Sequence, residues 1–543
     1  MKFTDGYWLN RPQYEIQSPL EVFEYKKQDK QLTLYAPFKK INERGDELNI
    51  GMSTIELTSP IEGVIGVKLI HFDQQSKAPS FNLTDENPNV SITTGDKELS
   101  LKSGALSVKV PYKSKFELDF YHNEKLITKS MEKAEASIDD KSDGKHYMRE
   151  QLSMGVDELI YGLGERFSAF VKNGQTVETY NKDGGTGSEQ AYKNVPFISA
   201  VKAMASSLTN RKRYPLKLRP RTSTGPSSVL RVKLQYFIID GPEPKDVLNK
   251  YTRLTGQITL PPAWSFGLWL STSFTTDYNE KIVLDMIDGM QKRHIPLDVF
   301  HFDCFWQKGF EWSNMLWNKD RFPDPEGMIK KIHDCGVKVC VWINPYIAQK
   351  APLFKEARDK GYLIQHEDGT VWQWDLWQSG NGFVDFTNPG AVKWYQKQLK
   401  ALLDMGVDCF KTDFGERIPA EDVKFFDGSD PKREHNYYTY QYNQTVFNLI
   451  EQEKGKGQAV VFARSATVGS QKFPLHWGGD NLSRYKSMAD SLRGGLSFLL
   501  SGFGFWAHDI SGYEEKATPR SLQTLDPIWV VIVTFSVSWQ WSI

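Results

Sequence analysis

Acidic side chains follow several apolar runs in the second half of the chain. Asp303 ends the run LDVFHFD, and Asp413 ends VDCFKTD with Glu416 three residues further on. Asp480 and Asp509 end two later runs. Carboxylates crowded into one cleft push each other's pKa values apart, so that one is ionised while another keeps its proton. Glycoside cleavage requires that pair, an ionised nucleophile and a protonated acid.

Acids at strand ends can also cap helices or bind a metal ion, and the sequence supports these two roles to different degrees. One acid at a strand end is commonly a helix cap. Four acids that converge on one place are more than helix capping requires, and Arg464 ends a further run. The tryptophans that accompany them are Trp306, Trp342, Trp477 and Trp506. A metal site usually adds histidines at short spacing or an EF-type loop, and a nucleotide site adds a glycine-rich loop. Because neither pattern occurs, we expect no metal and no cofactor.

The elements that position these residues change in kind near residue 260. Before it, short alternating runs such as QLTLYAPF and VIGVKLIHF are separated by turn residues and predict a β-sandwich. After it, seven apolar strand runs alternate with helical segments such as EKIVLDMIDGMQKRH. This alternation predicts parallel strands covered on both faces, as in a (β/α)8 TIM barrel. The active site of such a barrel lies at the C-terminal strand ends, where the acids stand.

Composition narrows the function further. The 543 residues include 67 Lys+Arg and 67 Asp+Glu, a balance that argues against a nucleic-acid partner. The 16 Trp and 23 Tyr are compatible with sugar binding, because a ring with a polar tip suits a sugar face, but many interior strand positions in a β-rich protein would explain them as well. The four cysteines show no zinc spacing and predict free thiols in a reducing compartment. With no visible signal peptide and no 18-residue apolar run, we expect a cytoplasmic protein without a membrane span.

Six ordered motifs carry a resemblance to a known family. They are YGLGERF (161–167), HFDCFW (301–306), KTDFGERIP (411–419), FARSA (462–466), HWGGD (476–480) and SGFGFWAHDI (501–510). Together they resemble glycoside hydrolase family 31, and more narrowly its bacterial α-xylosidases. The resemblance implies a retaining α-glycosidase that needs no cofactor and acts on an oligosaccharide. It also allows a homo-oligomer in full-length relatives.

The resemblance assigns roles to individual residues. Asp413 matches the nucleophile that forms a β-glycosyl ester, and Asp480 matches the general acid that later activates water. Glu416 matches a residue sometimes given a supporting catalytic role. The positions that match substrate-binding residues of the family are Asp183, Asp303, Lys411, Arg464 and Trp477.

The choice of sugar depends on the space beside the first pocket. Xylose is glucose without the exocyclic hydroxymethyl group, so a xylose pocket must fill the place of that group. Phe274, Cys304, Phe305 and Trp342 are apolar candidates for this wall. A hydroxymethyl group pressed against it loses its hydrogen bonds, at a cost of about 1–3 kcal/mol. The expected reaction is release of α-xylose from xyloglucan-type oligosaccharides or other α-xylosides. An α-glucosidase, an inactive remnant and a sugar-binding protein are the alternatives.

Two segments depart from the family pattern. Residues 198–233 contain no acidic residue and show no clean alternation, which predicts a local shift of reading frame. Beyond Gly512 the likeness fades into an apolar run. We therefore expect a sandwich over 1–250, barrel strands one to seven over 251–512, and a nonconforming tail over 513–543. A barrel without its eighth strand is incomplete, so poor solubility and little activity are expected.

Overall fold

The computed structural model describes most of the chain. It covers residues 3–5, 9–72, 81–200, 233–273, 276–510 and 512–513, with strand backbone at 204–208, 215–217, 227–230 and 538–540. Phe274, one of the predicted wall residues, lies outside the described residues.

The first part of the chain folds into antiparallel sheets, as predicted. In chain order its strands are β1 Thr4–Asp5, β2 Leu9–Asn10, β3 Tyr14–Gln17, β4 Glu24–Lys27, β5 Leu32–Pro37, β6 Met52–Thr58, β7 Val64–Ile70, β8 Ser91–Thr94, β9 Glu98–Ser103, β10 Leu106–Pro111, β11 Leu118–His122, β12 Lys125–Ser130, β13 Ala136–Asp140, β14 Lys145–Gln151, β15 Ile160–Gly164, β16 Thr176–Glu178, β17 Asn194–Ala200, β18 Met204–Leu208, β19 Pro215–Lys217, β20 Ser227–Leu230 and β21 Lys233–Asp240.

These strands form three main sheets. The largest has the order β15-β17-β18-β21-β7-β6-β5-β4, and the others are β12-β11-β10-β9-β8 and β16-β19-β20-β14-β13-β3. Alternate residues of a strand point to opposite faces, and β6 accordingly buries Ser53, Ile55 and Leu57 while its other residues lie nearer the surface. The buried faces meet in one hydrophobic cluster that joins Ile55 and Leu57 to Leu101 and Val108.

Short strands occupy part of the segment without acidic residues. β18 pairs with β17 and β21, and β20 pairs with β14. The backbone at 204–208 thus follows the sheet, whereas the side chains of 201–232 lie outside the described residues. The shifted reading frame stays a prediction.

The second part of the chain is built from parallel strands and helices. Its strands are β22 Trp269–Ser271, β23 Val299–Phe302, β24 Lys338–Ile343, β25 Tyr346–Ala348, β26 Gln373–Trp374, β27 Asn381–Phe383, β28 Cys409–Thr412, β29 Val461–Ala463 and β30 Ser538–Gln540. Its helices, with one that leads into it, are α1 Pro244–Thr255, α2 Glu280–Lys292, α3 Pro325–Asp334, α4 Pro352–Asp359, α5 Pro389–Asp404, α6 Pro431–Lys454 and α7 Tyr485–Leu499. One 3₁₀ turn, Arg44–Glu47, lies in the sandwich between β5 and β6, and three lie in the second part of the chain, Ala263–Phe266, Cys304–Trp306 and Ser470–Lys472.

The parallel sheet has the order β29-β28-β24-β23-β22-β30. The first five predicted strand runs are confirmed as β22, β23, β24, β28 and β29. The sixth and seventh are present as single parallel bridges, Ala463 to His476 and Trp477 to Ala507. In the predicted tail, Ser538–Gln540 pairs with β22, whose edge offers unpaired backbone groups. The nonconforming tail stays a prediction.

Local signals explain where the helices begin. The side chains of Asn279, Asp324, Asn388 and Asp430 accept hydrogen bonds from the first-turn backbone of α2, α3, α5 and α6. Proline occupies the first position of α3, α5 and α6, where its fixed φ and missing N–H cost nothing. None of the helices in the described parts of the chain is both long and apolar enough to cross a membrane.

The sandwich and the barrel share a hydrophobic cluster. It joins Phe197 and Phe237 of the sandwich to Phe498 and Trp506 of the barrel. Polar contacts cross the same boundary: Asn181 Nδ2 donates to the carbonyl of Ala466 at 3.1 Å. The loop that follows Asn181 is therefore held against the C-terminal face of the barrel.

Candidate active site

One guanidinium lies at the centre of the acid cluster. Arg464, which follows β29, is buried and lies 3.2 Å from Asp413, 3.5 Å from Asp480 and 3.8 Å from Asp183. It also forms an ion pair with Glu416. The strand-end residues that the sequence singled out thus meet in one pocket, as the barrel geometry predicts.

Asp413 is fixed by groups on both of its oxygens. Trp342 Nε1, at the end of β24, donates to Oδ2 at 2.7 Å, and the Phe414 N–H donates to Oδ1 at 2.8 Å. Gly415 follows with a φ of 97°, and a Cβ there would meet the Ser465 hydroxyl at 2.7 Å. Only glycine permits both this backbone conformation and this close approach. The turn therefore aims the carboxylate of Asp413 into the pocket.

Asp480 faces the same pocket from another side. Its side chain is 32% exposed, which leaves the carboxyl accessible to a ligand. Protein atoms surround it otherwise, and the loss of water raises its pKa to about 8, with a further contribution from Asp413 against the opposing effect of Arg464. A carboxyl with this pKa carries a proton at neutral pH and can donate it.

Glu416 is the most deeply buried of the acids that contact Arg464. Its side chain is buried and is held by Arg464. Burial raises its pKa to about 7, although Arg464 opposes the shift. Its contact with Arg464 is suited to positioning the guanidinium, and the supporting catalytic role of Glu416 stays a prediction.

Lys411 and Asp303 form the floor of the pocket. The Lys411 ammonium lies 4.4 Å from the ring centre of Trp477, which is itself fully buried and supports the lysine from below. Burial acts to lower the pKa of Lys411, but Asp303, Asp509 and other carboxylates outweigh it and raise that pKa. Asp303 accepts from the Cys304 N–H at 2.7 Å and from the Tyr513 hydroxyl at 3.1 Å. Asp303 thus caps the 3₁₀ turn that follows it and is at the same time a member of the acid cluster.

The sandwich contributes one acid. Asp183, in the loop after Asn181, forms an ion pair with Arg417 and lies 3.8 Å from Arg464. Burial acts to raise the pKa of Asp183, but the two arginines outweigh it and hold that pKa below its ordinary value. The pocket therefore has an ionised carboxylate at its rim that comes from the other domain.

The predicted apolar wall is partly assembled. Cys304 is buried beside Asp303, and Phe305 is 38% exposed with its ring 5.0 Å from that of Trp312. Trp342 is buried, and its indole N–H is already used by Asp413. Among the three wall residues that the structure describes, Phe305 is therefore the most exposed.

Sequence reasoning missed two side chains of the cluster. Arg417 holds Asp183, and the Tyr513 hydroxyl holds Asp303. Arg417 directly follows Glu416 in the GER motif, so its position next to a predicted residue was a usable signal. Tyr513 lies beyond the last motif, and nothing local in the sequence connects it with Asp303.

A sandwich followed by a parallel barrel with paired carboxylates at its strand ends defines a class, the glycoside hydrolases. Comparison with known families identifies the member. Residues 258–527 match the TIM-barrel domain of glycosyl hydrolases family 31, and residues 54–208 match the N-terminal galactose mutarotase-like domain of the same family. The chain belongs to glycoside hydrolase family 31. The barrel match extends past Gly512, so the likeness ends later than the sequence motifs indicate.

Individual relatives agree with this assignment. The chain is 59% identical over 531 residues to the α-xylosidase XylQ of Lactiplantibacillus pentosus, covering 96% of this chain and 69% of the relative. It is 43% identical to an α-xylosidase of Emericella nidulans, with the same two coverages. The fold matches the cycloalternan-forming enzyme of Listeria monocytogenes with a TM-score of 0.85 at 21% identity. The match covers 97% of this chain but only 52% of the Listeria enzyme.

Proposed function

We propose that the chain acts as a retaining α-glycoside hydrolase that releases α-linked xylose from the non-reducing end of xyloglucan-type oligosaccharides or other α-xylosides. The observation that carries the proposal is the pair of carboxylates on one guanidinium. Asp413 and Asp480 lie 3.2 Å and 3.5 Å from Arg464, and the pKa of Asp480 is raised to about 8.

The reaction follows from the positions of the two carboxylates and from the raised pKa of Asp480. Asp413 attacks the anomeric carbon while the Asp480 carboxyl protonates the leaving oxygen, which gives a glycosyl ester on Asp413 and an ionised Asp480. Asp480 then takes a proton from water, and the water oxygen attacks the anomeric carbon and releases Asp413. Two inversions leave the α configuration unchanged. Such a mechanism requires carboxyl groups about 5–5.5 Å apart.

Xylose as the substrate rests on two lines of support. The relatives at 59% and 43% identity are both described as α-xylosidases. Cys304 and Phe305 also place apolar surface beside Asp303, where a hydroxymethyl group would lose its hydrogen bonds. Asp303, Lys411 and Asp183 remain to bind the sugar hydroxyls.

The test compares nitrophenyl α-xyloside with nitrophenyl α-glucoside. We expect the xyloside to be the better substrate, α-xylose to be the first product seen by NMR, and Asp413→Ala to abolish turnover. Preference for the glucoside would make the chain an α-glucosidase, and β-xylose as the first product would contradict retention.

The wall has its own experiment. Cys304→Ser combined with Phe305→Ser should raise the ratio of glucoside to xyloside kcat/KM by roughly 5- to 100-fold, the equivalent of one polar group that no longer goes unpaired. Cys335→Ser, at the exposed cysteine, is the control. An unchanged ratio in the double variant would place the selectivity elsewhere in the pocket.

A cytoplasmic location is part of the proposal. Its support is that all four cysteines are free and that three of them are buried, Cys304, Cys340 and Cys409, as is common in reducing compartments. Cell fractionation with an activity assay tests it, and activity found outside the cytoplasm would contradict it.

A further inference from the structure

Trp377 is a half-exposed tryptophan in a conformation that tryptophan rarely adopts. It lies in the turn between β26 and β27 with a φ of 73°, and 42% of its surface is exposed. A bulky residue in the left-handed region costs on the order of 1 kcal/mol or more. A conformation of this kind persists only where the surrounding structure holds it, and such positions are often functional.

The turn around Trp377 is held by its own polar groups. Asn381 Nδ2 donates to the carbonyl of Gln378 at 2.8 Å, and the Gly380 N–H donates to Asp375 Oδ1 at 2.8 Å. Gln378 Nε2 in turn donates to the carbonyl of Tyr346, in β25, at 3.3 Å. The indole is therefore presented by a fixed loop, and a ligand that contacts it need not order the loop first.

The inner side of the indole packs on the neighbours of Asp413. Its ring centre lies 5.2 Å from that of Trp342, which donates to Asp413, and 5.1 Å from that of Phe414, which follows Asp413. Trp342 and Phe414 are both buried, whereas Trp377 is not. Trp377 thus lies outside Trp342 and Phe414 as seen from Asp413, on the exposed side of the pocket.

Aromatic side chains continue around this mouth. Trp312 lies 5.5 Å from Trp377 and 5.0 Å from Phe305, measured between ring centres. Because the anomeric carbon reacts beside Asp413, the leaving group must extend from that point towards the exposed side of the pocket. An aromatic face with a polar N–H suits the C–H face and hydroxyl edge of a pyranose ring.

We propose that Trp377 is the platform on which the first sugar of the leaving group stacks, so that it determines the preference for a glycosyl over a small aglycone. This inference rests on the proposed α-xylosidase function and adds the site for the second sugar. The ring does not reach the bond that breaks, and its contribution is to the binding of the aglycone.

The experiment separates substrates with and without an aglycone ring. One is α-xylosyl fluoride, whose leaving group is fluoride, and the other is α-D-xylopyranosyl-(1→6)-D-glucose. In Trp377→Ala and Trp377→Leu, we expect kcat/KM for the disaccharide to fall roughly 5- to 30-fold, chiefly through KM. Hydrolysis of α-xylosyl fluoride should stay within about twofold of the wild type, since it lacks the ring that would stack. Trp377→Tyr keeps a flat ring and should retain most disaccharide activity.

The variants also distinguish binding from support of Trp342. Trp377→Leu keeps apolar contact with Trp342 but offers no flat face, and Phe72→Ala, at an exposed ring of the sandwich, is the surface control. Equal losses on both substrates would mean that Trp377 only positions Trp342, and unchanged disaccharide kinetics would mean that it binds nothing; either result overturns the inference. A wild-type chain that cleaves neither substrate overturns the proposed function, and this inference with it.

Discussion

Buried acids occur in two regions of the molecule, with opposite surroundings. In the barrel pocket, Asp413, Asp480 and Glu416 share the guanidinium of Arg464. In the sandwich, Glu135 and Glu150 are buried, and within the described residues the charge that acts most on Glu135 is the Glu150 carboxylate. Loss of water, with a smaller contribution from Glu150, raises the pKa of Glu135 to about 8.

Of the two sandwich acids, Glu150 accepts well-aligned hydrogen bonds from described residues and Glu135 does not. Glu150 accepts from the Ser130 hydroxyl and the Gln151 N–H, both at 2.7 Å, and from the Tyr236 hydroxyl at 3.3 Å. Burial still raises its pKa to about 7. Neither oxygen of Glu135 forms a well-aligned hydrogen bond within the described parts of the chain.

The difference shows what a cation adds to a buried acid. Without one, burial favours the neutral acid, and the group follows the pH of the solution. With Arg464 in the centre, several acids are held close together, and the guanidinium opposes the rise in pKa that burial causes at Asp480 and Glu416. The comparison predicts that pocket acids control turnover and that sandwich acids control stability alone.

The largest effect is expected from Asp480→Ala. Loss of the proton donor should lower kcat/KM for a xylosyl disaccharide by about 10³-fold or more, and for nitrophenyl α-xyloside by much less, because an activated leaving group hardly needs protonation. In the wild type, activity on the disaccharide should decline as the pH rises through about 8, since the folded pKa of this acid is raised.

Asp480→Asn, which keeps the shape without the proton, is the matched control for packing and should behave like the alanine variant. If both variants lost equal activity on the two substrates, Asp480 would not be the general acid. A wild-type profile that stayed flat up to pH 9 would contradict the protonated state.

An intermediate effect is expected from Arg464→Met. The change leaves Asp413 and Glu416 buried without their cation, and breaking such a network typically costs about 3–5 kcal/mol. Thermal melting should show lower stability, and turnover should fall as well, because the two reacting carboxylates lose their common partner. Arg464→Lys keeps the charge without the planar fork and should recover part of the stability but little of the activity.

The Arg464 variants also test the comparison between the pocket acids and the sandwich acids. A melting temperature within one degree of the wild type would mean that the pocket acids tolerate burial as the sandwich acids do. The cation would then not be the cause of the difference between the two regions.

How far the sequence predicts these regions depends on how local the signals are. The helices and five of the barrel strands follow from caps and apolar runs that lie within a few residues, such as Asp324–Pro325 at the start of α3. The pocket acids were predictable because parallel strands deliver their C-terminal ends to one face. Asp303, Asp413 and Asp480 each stand at such an end.

Other features depend on contacts between distant segments. Glu135 directly precedes β13 and Glu150 belongs to β14, where the sequence predicts ordinary half-polar β-structure. The burial of Glu150 needs β21 in place. Trp377 was not predicted because its left-handed φ depends on the turn that Asn381 holds. The sixth and seventh barrel strands shrink to single bridges, since the glycines around Trp477 and Phe503 favour turns over extended strands.

The smallest effect is expected from Glu135→Gln, and it concerns stability alone. An unfolded glutamate loses its proton near pH 4.5, whereas the folded group keeps it until about pH 8. Its favourable contribution to folding is therefore complete below pH 4.5 and is progressively lost as the pH rises to 8. The neutral amide of glutamine avoids that loss, so the variant should be more stable than the wild type at pH 8, by about 1–3 kcal/mol.

The measurement is the difference in melting temperature between Glu135→Gln and the wild type at pH 5 and at pH 8. Taking the difference removes the contributions of Asp480 and Glu416, which are common to both proteins. Glu98→Gln, at an exposed position of the same sandwich, is the control for the loss of one carboxylate. A difference for Glu135→Gln that did not grow between pH 5 and pH 8 would mean that Glu135 has a cation nearby after all. We also expect kcat on nitrophenyl α-xyloside to stay unchanged in Glu135→Gln. An acid outside the reacting centre affects the free energy of unfolding at alkaline pH and does not affect the rate of turnover.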